Sequence, residues 1–571
     1  MTRKTFIYKV YDSSGNLKKT WIDVRSGVAF SSVMNEGLSD FPVEIARDSS
    51  NFGEDEDVKY NNQLKVYSCD DASGLTGCTL IYSGRLTQYL PSIQGREQTL
   101  KCTFLSYWQQ AQQIIVEDDG NNYTLTPAPI FKDQVTPEMS ANNTPSVYTV
   151  SASTEVSGYS AYLALDRSES TEWRANATTG YLKIDFGVFL SPKARKYIIT
   201  APSDATKAPK TFTLQGSATG AFSGEETTLD TQTNLTSWTA NERKEFEFAN
   251  TTAFRYYRVN ITANNGHASN VGIANLELYE AEARTGATSI RYKGEDPSNI
   301  LKDLLDRFTQ SSVGGKLDYA TGSIDATGIN VDYVFSNVTY QEAFKKVIDM
   351  CPFGWFIRVG ADDIVYLKEK SSTADHVFTI GKDILGFEPE KRIENVVNTL
   401  YFFGGDDGTG KKLFKKYTRS GSISSYGVYA QRVSDESVQD IGTMDDIAGR
   451  ILDNLDSPEI RVVLKILDDN NDQGKGYDID TIQVGDTCRI VNATAQSENL
   501  WDSTVWDTSK WDFDINNAAA ILLQIQKVET HEDYVILELS NRQPDIARRI
   551  EEIAQKLVQQ QVKGAGIIPE T

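Results

Sequence analysis

Three stretches of the sequence hold residue types at spacings that could do chemistry. Gly405-Asp406-Asp407-Gly408-Thr409-Gly410-Lys411-Lys412 approaches a phosphate-binding loop. Such a loop carries Ser or Thr after its lysine and opens a helix whose N-terminus helps hold the phosphate. Here Lys412 takes that place, LFKKYT reads as a strand, and two aspartates would repel phosphate, so the stretch reads as a hairpin turn. Asp468 to Asp480 (DDNNDQGKGYDID) offers oxygens for calcium, with Asp469, Asn471, Gln473, Gly474 and Asp480 at loop positions 1, 3, 5, 6 and 12. A neutral Gln, an Asp in place of the final Glu and the lack of flanking helices favour an acidic hairpin loop. Trp501-Asp502, Trp506-Asp507 and Trp511-Asp512 repeat at a spacing that suits neither helix nor strand. Three such rings must bury somewhere. They would clamp a loop onto a barrel or a neighbouring subunit, the alternative being a platform for sugar rings. No G-x-S-x-G, H-E-x-x-H or Cys/His constellation is present, and three histidines leave little for zinc or imidazole catalysis. The residues therefore support no enzyme.

Composition narrows the classes further. The chain has 571 residues, with 57 Lys+Arg against 79 Asp+Glu, a net charge of −22. One hydrophobic core stops growing at roughly 250–300 residues, so several domains are expected. The acidic balance argues against a broad electrostatic grip on DNA or anionic lipid. No stretch approaches the roughly 18 apolar residues of a membrane span. The opening MTRKTFIYKV has no apolar core and does not read as a signal peptide. Of five cysteines only Cys69 and Cys78 lie close, and they could face each other across a hairpin. In a reducing cytoplasm free thiols are the expectation for both.

The elements that must position these residues follow from periodicity. Residues 1–135 alternate apolar and polar side chains between Gly/Ser/Asn/Asp turns and predict an antiparallel sheet or barrel. PAPIFKDQVTPEMSANNTPS then reads as a linker. Over 144–281 short strands recur without helices, which predicts a self-contained β-sandwich. Helices enter in an α+β block, 285–390. Asp296-Pro297-Ser298 opens one with a single apolar face of Ile300, Leu301, Leu304, Leu305 and Phe308. Thr339-x-x-Glu342 is a capping box for another. A further helix near Met444–Leu452 lies within a second strand-rich region, 391–541. In the last segment, 543–563, Ile546, Ile550, Ile553 and Leu557 form a short heptad seam. It either packs on its own domain or, the favoured reading, self-associates about a symmetry axis, with a trimer the expected state. The fold class expected is mainly β with α+β: two barrel-like domains and an α+β block, an inserted β-sandwich and a C-terminal helix.

The 144–281 sandwich resembles the discoidin (coagulation-factor C-type) family, which includes the family 32 carbohydrate-binding modules. The resemblance rests on Ala164-Leu165-Asp166 with Ser170-Thr171-Glu172-Trp173, on Gly180-Tyr181-Leu182-Lys183-Ile184-Asp185-Phe186-Gly187, and on Ala208-Pro209-Lys210-Thr211-Phe212-Thr213-Leu214-Gln215-Gly216-Ser217. The runs Arg255–Gly266 and Leu276–Tyr279 complete it. The family implies a jelly roll with ligand loops and, in many members, a structural calcium. Its metal positions fall here on Leu163, Asp166, Ser168, Thr171, Ala274 and Asn275. Ser168 and Asn275 stand where carboxylates are usual, so calcium is expected to bind feebly or not at all, and no cofactor is required. Sugar contacts do not carry over by motif. Side-chain chemistry nominates Tyr159, Arg174, Asn176, Trp238 and His267, a ring stacking on a sugar's CH face and the others bonding hydroxyls. Trp173 reads as core.

The remainder, 1–135 and 285–545, resembles the hub protein of a tailed bacteriophage. The resemblance is carried by Gln63-Leu64-Lys65-Val66-Tyr67 with Thr79–Gly84, the helix from Asp296 to Phe308, the capped helix followed by Gly354-Trp355-Phe356-Ile357, and Arg392–Asn398. It implies a homotrimer at the tail tip of the virion, made in the host cytoplasm. Its expected partners are the distal tail ring, tape measure, fibres and a host-surface glycan, with DNA passing through unbound. The alternative is a glycoside hydrolase or tail-borne depolymerase with the jelly roll as accessory module.

Overall fold

The computed structural model describes residues 4–21, 24–46, 59–69, 78–94, 97–131, 134–310, 315–380, 382–406, 412–436, 438, 440–468, 477–492 and 522–542. The chain is mostly β and falls into two compact units, one formed by 1–127 with 288–405 and 413–571, the other by 128–287 with 406–412.

In the first unit an N-terminal sheet runs in the order Leu17–Trp21, Thr5–Tyr11, Gln63–Cys69, Cys78–Gln94, Glu97–Leu105, Phe41–Ala46. A bridge between Val24 and Ile45, with Arg25 N donating to Glu44 O at 2.8 Å, joins its two edges and closes a barrel. The alternation seen in the sequence puts Tyr8, Val10, Leu64, Val66 and Phe104 inside. Cys69 and Cys78 are a register pair at the end of their hairpin and form a disulfide, which corrects the expectation of free thiols. Antiparallel pairing brought them within reach, where composition argued only from compartment.

A second barrel closes from Thr487–Asn492, His376–Ile380, Ile384–Arg392, Glu459–Leu467, Tyr534–Ser540 and Leu523–His531, the last pairing back to the first through Cys488 and Leu523. Strand Ala29–Val33, far upstream, extends this sheet along Leu523–His531. Between the barrels in sequence, helix Pro297–Gln310 buries Ile300, Leu301, Leu304, Leu305 and Phe308 completely against helix Tyr340–Met350. The capping box of Thr339 and Glu342 is formed. Arg307 is held in this interior by Asp303 at 2.8 Å and Asp118 at 3.2 Å. Helix Ile441–Leu455 covers one face of a three-stranded sheet, Lys412–Thr418, Thr399–Asp406, Ala430–Asp435.

The second unit is a sandwich. A five-stranded sheet (Thr227–Gln232, Pro209–Ser217, Tyr256–Asn264, Gly180–Asp185, Thr149–Ala152) faces a three-stranded one (Arg243–Glu247, Ala194–Thr200, Asn275–Glu280). Trp173, Leu182, Tyr197, Phe212, Leu214 and Val259 fill the space between. The proline-rich stretch expected as a linker lies on this unit instead: Val135 N bonds Leu278 O at 2.7 Å and Met139 is fully buried.

Candidate functional site

The sandwich gathers most of the nominated sugar-contacting residues on loops that hydrogen-bond one another. Arg174 sits on the short strand Trp173–Ala175, which pairs with Val271–Ile273, and its N–H donates to Tyr159 O at 3.2 Å. The Arg174 guanidinium lies 3.7 Å from the Tyr159 ring centre. Its Nε donates to Glu172 Oε1 at 2.7 Å, and a second guanidinium nitrogen bonds the same oxygen. Glu172 is buried and also faces Lys207 Nζ at 3.7 Å. Lys207 continues to Asp204 at 3.3 Å, and Asp204 lies 3.9 Å from His267 Nε2. The Thr206 hydroxyl and Lys207 hold the Asp204 carboxyl below its ordinary value. His267 Nδ1 accepts from the N–H groups of Ser269 and Asn270, which assigns the ring proton to Nε2, toward Asp204. Asn176 is exposed, its N–H donating to Thr154 Oγ1.

Trp238 is placed differently. It is only 6% exposed, packs in the sandwich core and donates from its indole nitrogen to Pro209 O at 2.9 Å. Its ring is therefore not offered to a sugar, and Lys244 covers it at 4.8 Å. A loop position in the sequence gave no sign of this burial. Glu172, Lys207 and Asp204, which tie the cluster together, were missed because nothing in their spacing marks them. Trp173 is core as read.

The residues present do not fit a calcium ion. Asp166 is the only carboxylate among the six positions, and both of its oxygens accept from the Thr171 hydroxyl, at 2.7 and 3.0 Å, while Ser168 N–H adds a third bond. Leu163 lies in a single 3₁₀ turn, Ala161–Ala164, and Ala274 N–H bonds Thr200 O. Asn275 Nδ2 donates to Glu277 and its buried Oδ1 has no partner, an oxygen without formal charge. Calcium affinity follows the number of charged ligands, and one occupied carboxylate supplies too few. Among the described residues no group of three His, Cys, Asp or Glu could hold a metal.

Elsewhere, strands Thr399–Asp406 and Lys412–Thr418 are neighbours, the hairpin read for the glycine-rich stretch, whose residues 407–411 lie outside the described ones. Asp469, Asn471, Gln473 and Gly474 also lie outside them. The flanking Asp468, Asp478 and Asp480 surround Lys4 Nζ at 3.5, 3.4 and 2.6 Å. Burial opposes the Lys4 charge, yet the bond to Asp480 and the field of the three carboxylates raise its pKa. Trp501, Trp506 and Trp511, and the seam of Ile546, Ile550, Ile553 and Leu557, lie outside the described residues too. His376, unremarked in the sequence, is buried between Tyr477 OH at 2.6 Å and Asp486 Oδ2 at 2.9 Å and stacks on Phe378. It fastens one barrel strand to the segment leading into another. No helix among the described residues is long and apolar enough to cross a membrane.

Comparison with known proteins returns both halves of the resemblance, a phage tail protein and a family 32-like module. Residues 372–506 match the family described as prophage endopeptidase tail. Among solved structures, the chain is similar to prophage tail protein gp18 from Listeria monocytogenes EGD-e, at 9% identity, covering 97% of this chain and 99% of that one, with a TM-score of 0.37. It is also similar to the 43 kDa tail protein of prophage MuSo2 from Shewanella oneidensis (8% identity, 95% and 99% covered, TM-score 0.41). A third similarity is to the family 32 carbohydrate-binding module of C. perfringens NanJ, solved with galactose (22% identity, 24% and 95% covered, TM-score 0.20). No curated protein matches.

Proposed function

We propose that the chain is the hub of a phage tail tip, a homotrimer that closes the tail tube and presents its jelly roll to a host-surface glycan. The observation that carries this reading is two closed six-stranded barrels in one chain. Three copies would bring six barrels around one axis, the arithmetic a threefold tip needs to continue a sixfold tube. The match of 372–506 to a prophage-tail family supports the same class. Its partners would be the other tail proteins, and its work is structural: it positions components and leaves a path for DNA.

In the jelly roll, Arg174 lies over the Tyr159 ring, His267 is tied to it through Asp204, Lys207 and Glu172, and Asn176 is exposed two residues beyond Arg174. That arrangement suits a ring of hydroxyls better than a charged group, because the cations are already paired with carboxylates. Two measurements test the proposal. Mass in solution is expected to give three chains, and a monomer at every concentration overturns the hub. Glycan-array binding is expected to vanish in the triple variant Tyr159→Ala, Arg174→Ala, His267→Ala, and its survival overturns the loop site.

A further inference from the structure

The three-stranded sheet under helix Ile441–Leu455 has a second face. Alternation along the strands sends Leu400, Phe402, Leu413 and Val433 to the helix. It sends Tyr401, Phe403, Phe414, Lys416 and Arg432 the other way. The parallel register sets Tyr401 beside Arg432. Phe403 and Phe414 have ring centres 4.8 Å apart, the Arg432 guanidinium lies 4.6 Å from the Phe403 ring, and Lys416 Nζ lies 5.3 Å from the Tyr401 ring. Phe414 is 55% exposed. Neither Lys416 nor Arg432 has a carboxylate partner among the described residues, whereas Lys415 and Tyr417, on the helix side, both bond Asp445. The segment that continues from this sheet, helix Ser420–Tyr426, buries none of its residues, and Val428 beyond it is 67% exposed.

An aromatic surface topped by two cations that face no carboxylate among the described residues has the composition of an interface centre. Its charge is opposite to that of the chain, which carries −22 overall. The surface a second copy presents is therefore, on average, complementary to this face. A face that differs from the surface it meets makes a head-to-tail contact, the kind that closes a ring of three. We infer that this face, centred on Phe414 and Arg432, docks on a second copy of the chain. The inference rests on the trimeric reading above and names the surface that would make it.

The test compares the full chain with the double variant Phe414→Asp, Arg432→Glu by mass in solution over a dilution series. Circular dichroism and the jelly roll's glycan binding serve as checks that the variant is folded. Wild type is expected to be trimeric, and the variant to need roughly tenfold or more higher concentration to associate. Association of the wild type should also weaken as salt is raised. A trimeric wild type with an equally trimeric, folded variant overturns this face while leaving the hub intact. A monomeric wild type overturns both. Should the variant stay trimeric but lose binding to another tail protein or to single-stranded DNA, the occupant is not a second copy and the inference fails.

Discussion

Asp363 offers the sharpest test of how the N-terminal barrel is joined to the α+β block. It sits in the tight turn between strands Trp355–Val359 and Val365–Glu369 with φ +67° and is only 7% exposed. Its Oδ2 accepts from Ser83 Oγ at 2.8 Å and from Gln63 Nε2 at 3.2 Å, both on barrel strands. Burial pushes its pKa up to about 7, against the pull of the Ser83 bond and of Lys65 and Lys316, while Asp362 adds to the rise. The folded protein therefore keeps a proton that the unfolded chain releases near the ordinary value of 3.8. Between those two values the folded state binds more protons, so stability falls as pH rises through the window. A shift of about three units is worth roughly 4 kcal/mol in full, with roughly 2.5 kcal/mol of it appearing between about pH 5 and pH 8.

Asp363→Asn removes the titration without disturbing the turn, because Asn tolerates positive φ and its carbonyl still accepts from Ser83. The assay is denaturant unfolding of both proteins at a series of pH values. Other titrating groups act equally on both, so the difference between them isolates Asp363. The variant should gain on the wild type from about pH 5, levelling off above about pH 7, by roughly 2.5 kcal/mol in all by about pH 8. Parallel pH profiles would refute the reasoning, since they would mean that Asp363 ionises in the folded protein as freely as in the unfolded one.

Two more outcomes separate structural from functional residues. Trp238→Ala should destabilise the jelly roll by about 3–5 kcal/mol in thermal or denaturant melts, as expected for a buried ring, and a melt unchanged from wild type would return Trp238 to the list of surface contacts. Cys69→Ser should cost the N-terminal barrel about 3 kcal/mol by the loop-closure relation for a short loop, and wild type treated with reductant should melt like the variant. Indifference to both changes would show that the pair contributes no constraint.

What the sequence disclosed were the faces of single elements. The stripe from Ile300 to Phe308 predicted a helix that is buried along that stripe, and Thr339 with Glu342 marked a cap that is formed. Such signals are local, because an amphipathic period or a cap is complete within one turn or one strand. The jelly roll was legible from ordered motifs whose residues turn out to be its core and strands, Trp173, Leu182 and Leu214 among them. Trp238 was misjudged because a lone Trp between polar residues carries no period, and only the fold shows that it covers the Pro209 carbonyl.

The junctions were invisible for a different reason: their partners are hundreds of residues apart. Ser83 meets Asp363 across 280 positions and Lys4 meets Asp480 across 476. Strand Ala29–Val33 pairs with Leu523–His531, in a sheet whose six barrel strands begin at His376. No spacing rule reaches so far, since the pairing is set by how the barrels close and by which buried charge needs which neighbour. The same logic explains why so much acid could be read only as a sum. Asp468, Asp478 and Asp480 are the answer to one buried lysine, Asp118 and Asp303 to one buried arginine, and Glu172 and Asp204 to the cations Arg174 and Lys207 of the sandwich loops. Other cations are met by rings: among the described residues Arg432 and Lys416 face Phe403 and Tyr401, as Lys9 and Lys65 face Tyr67 and Tyr11.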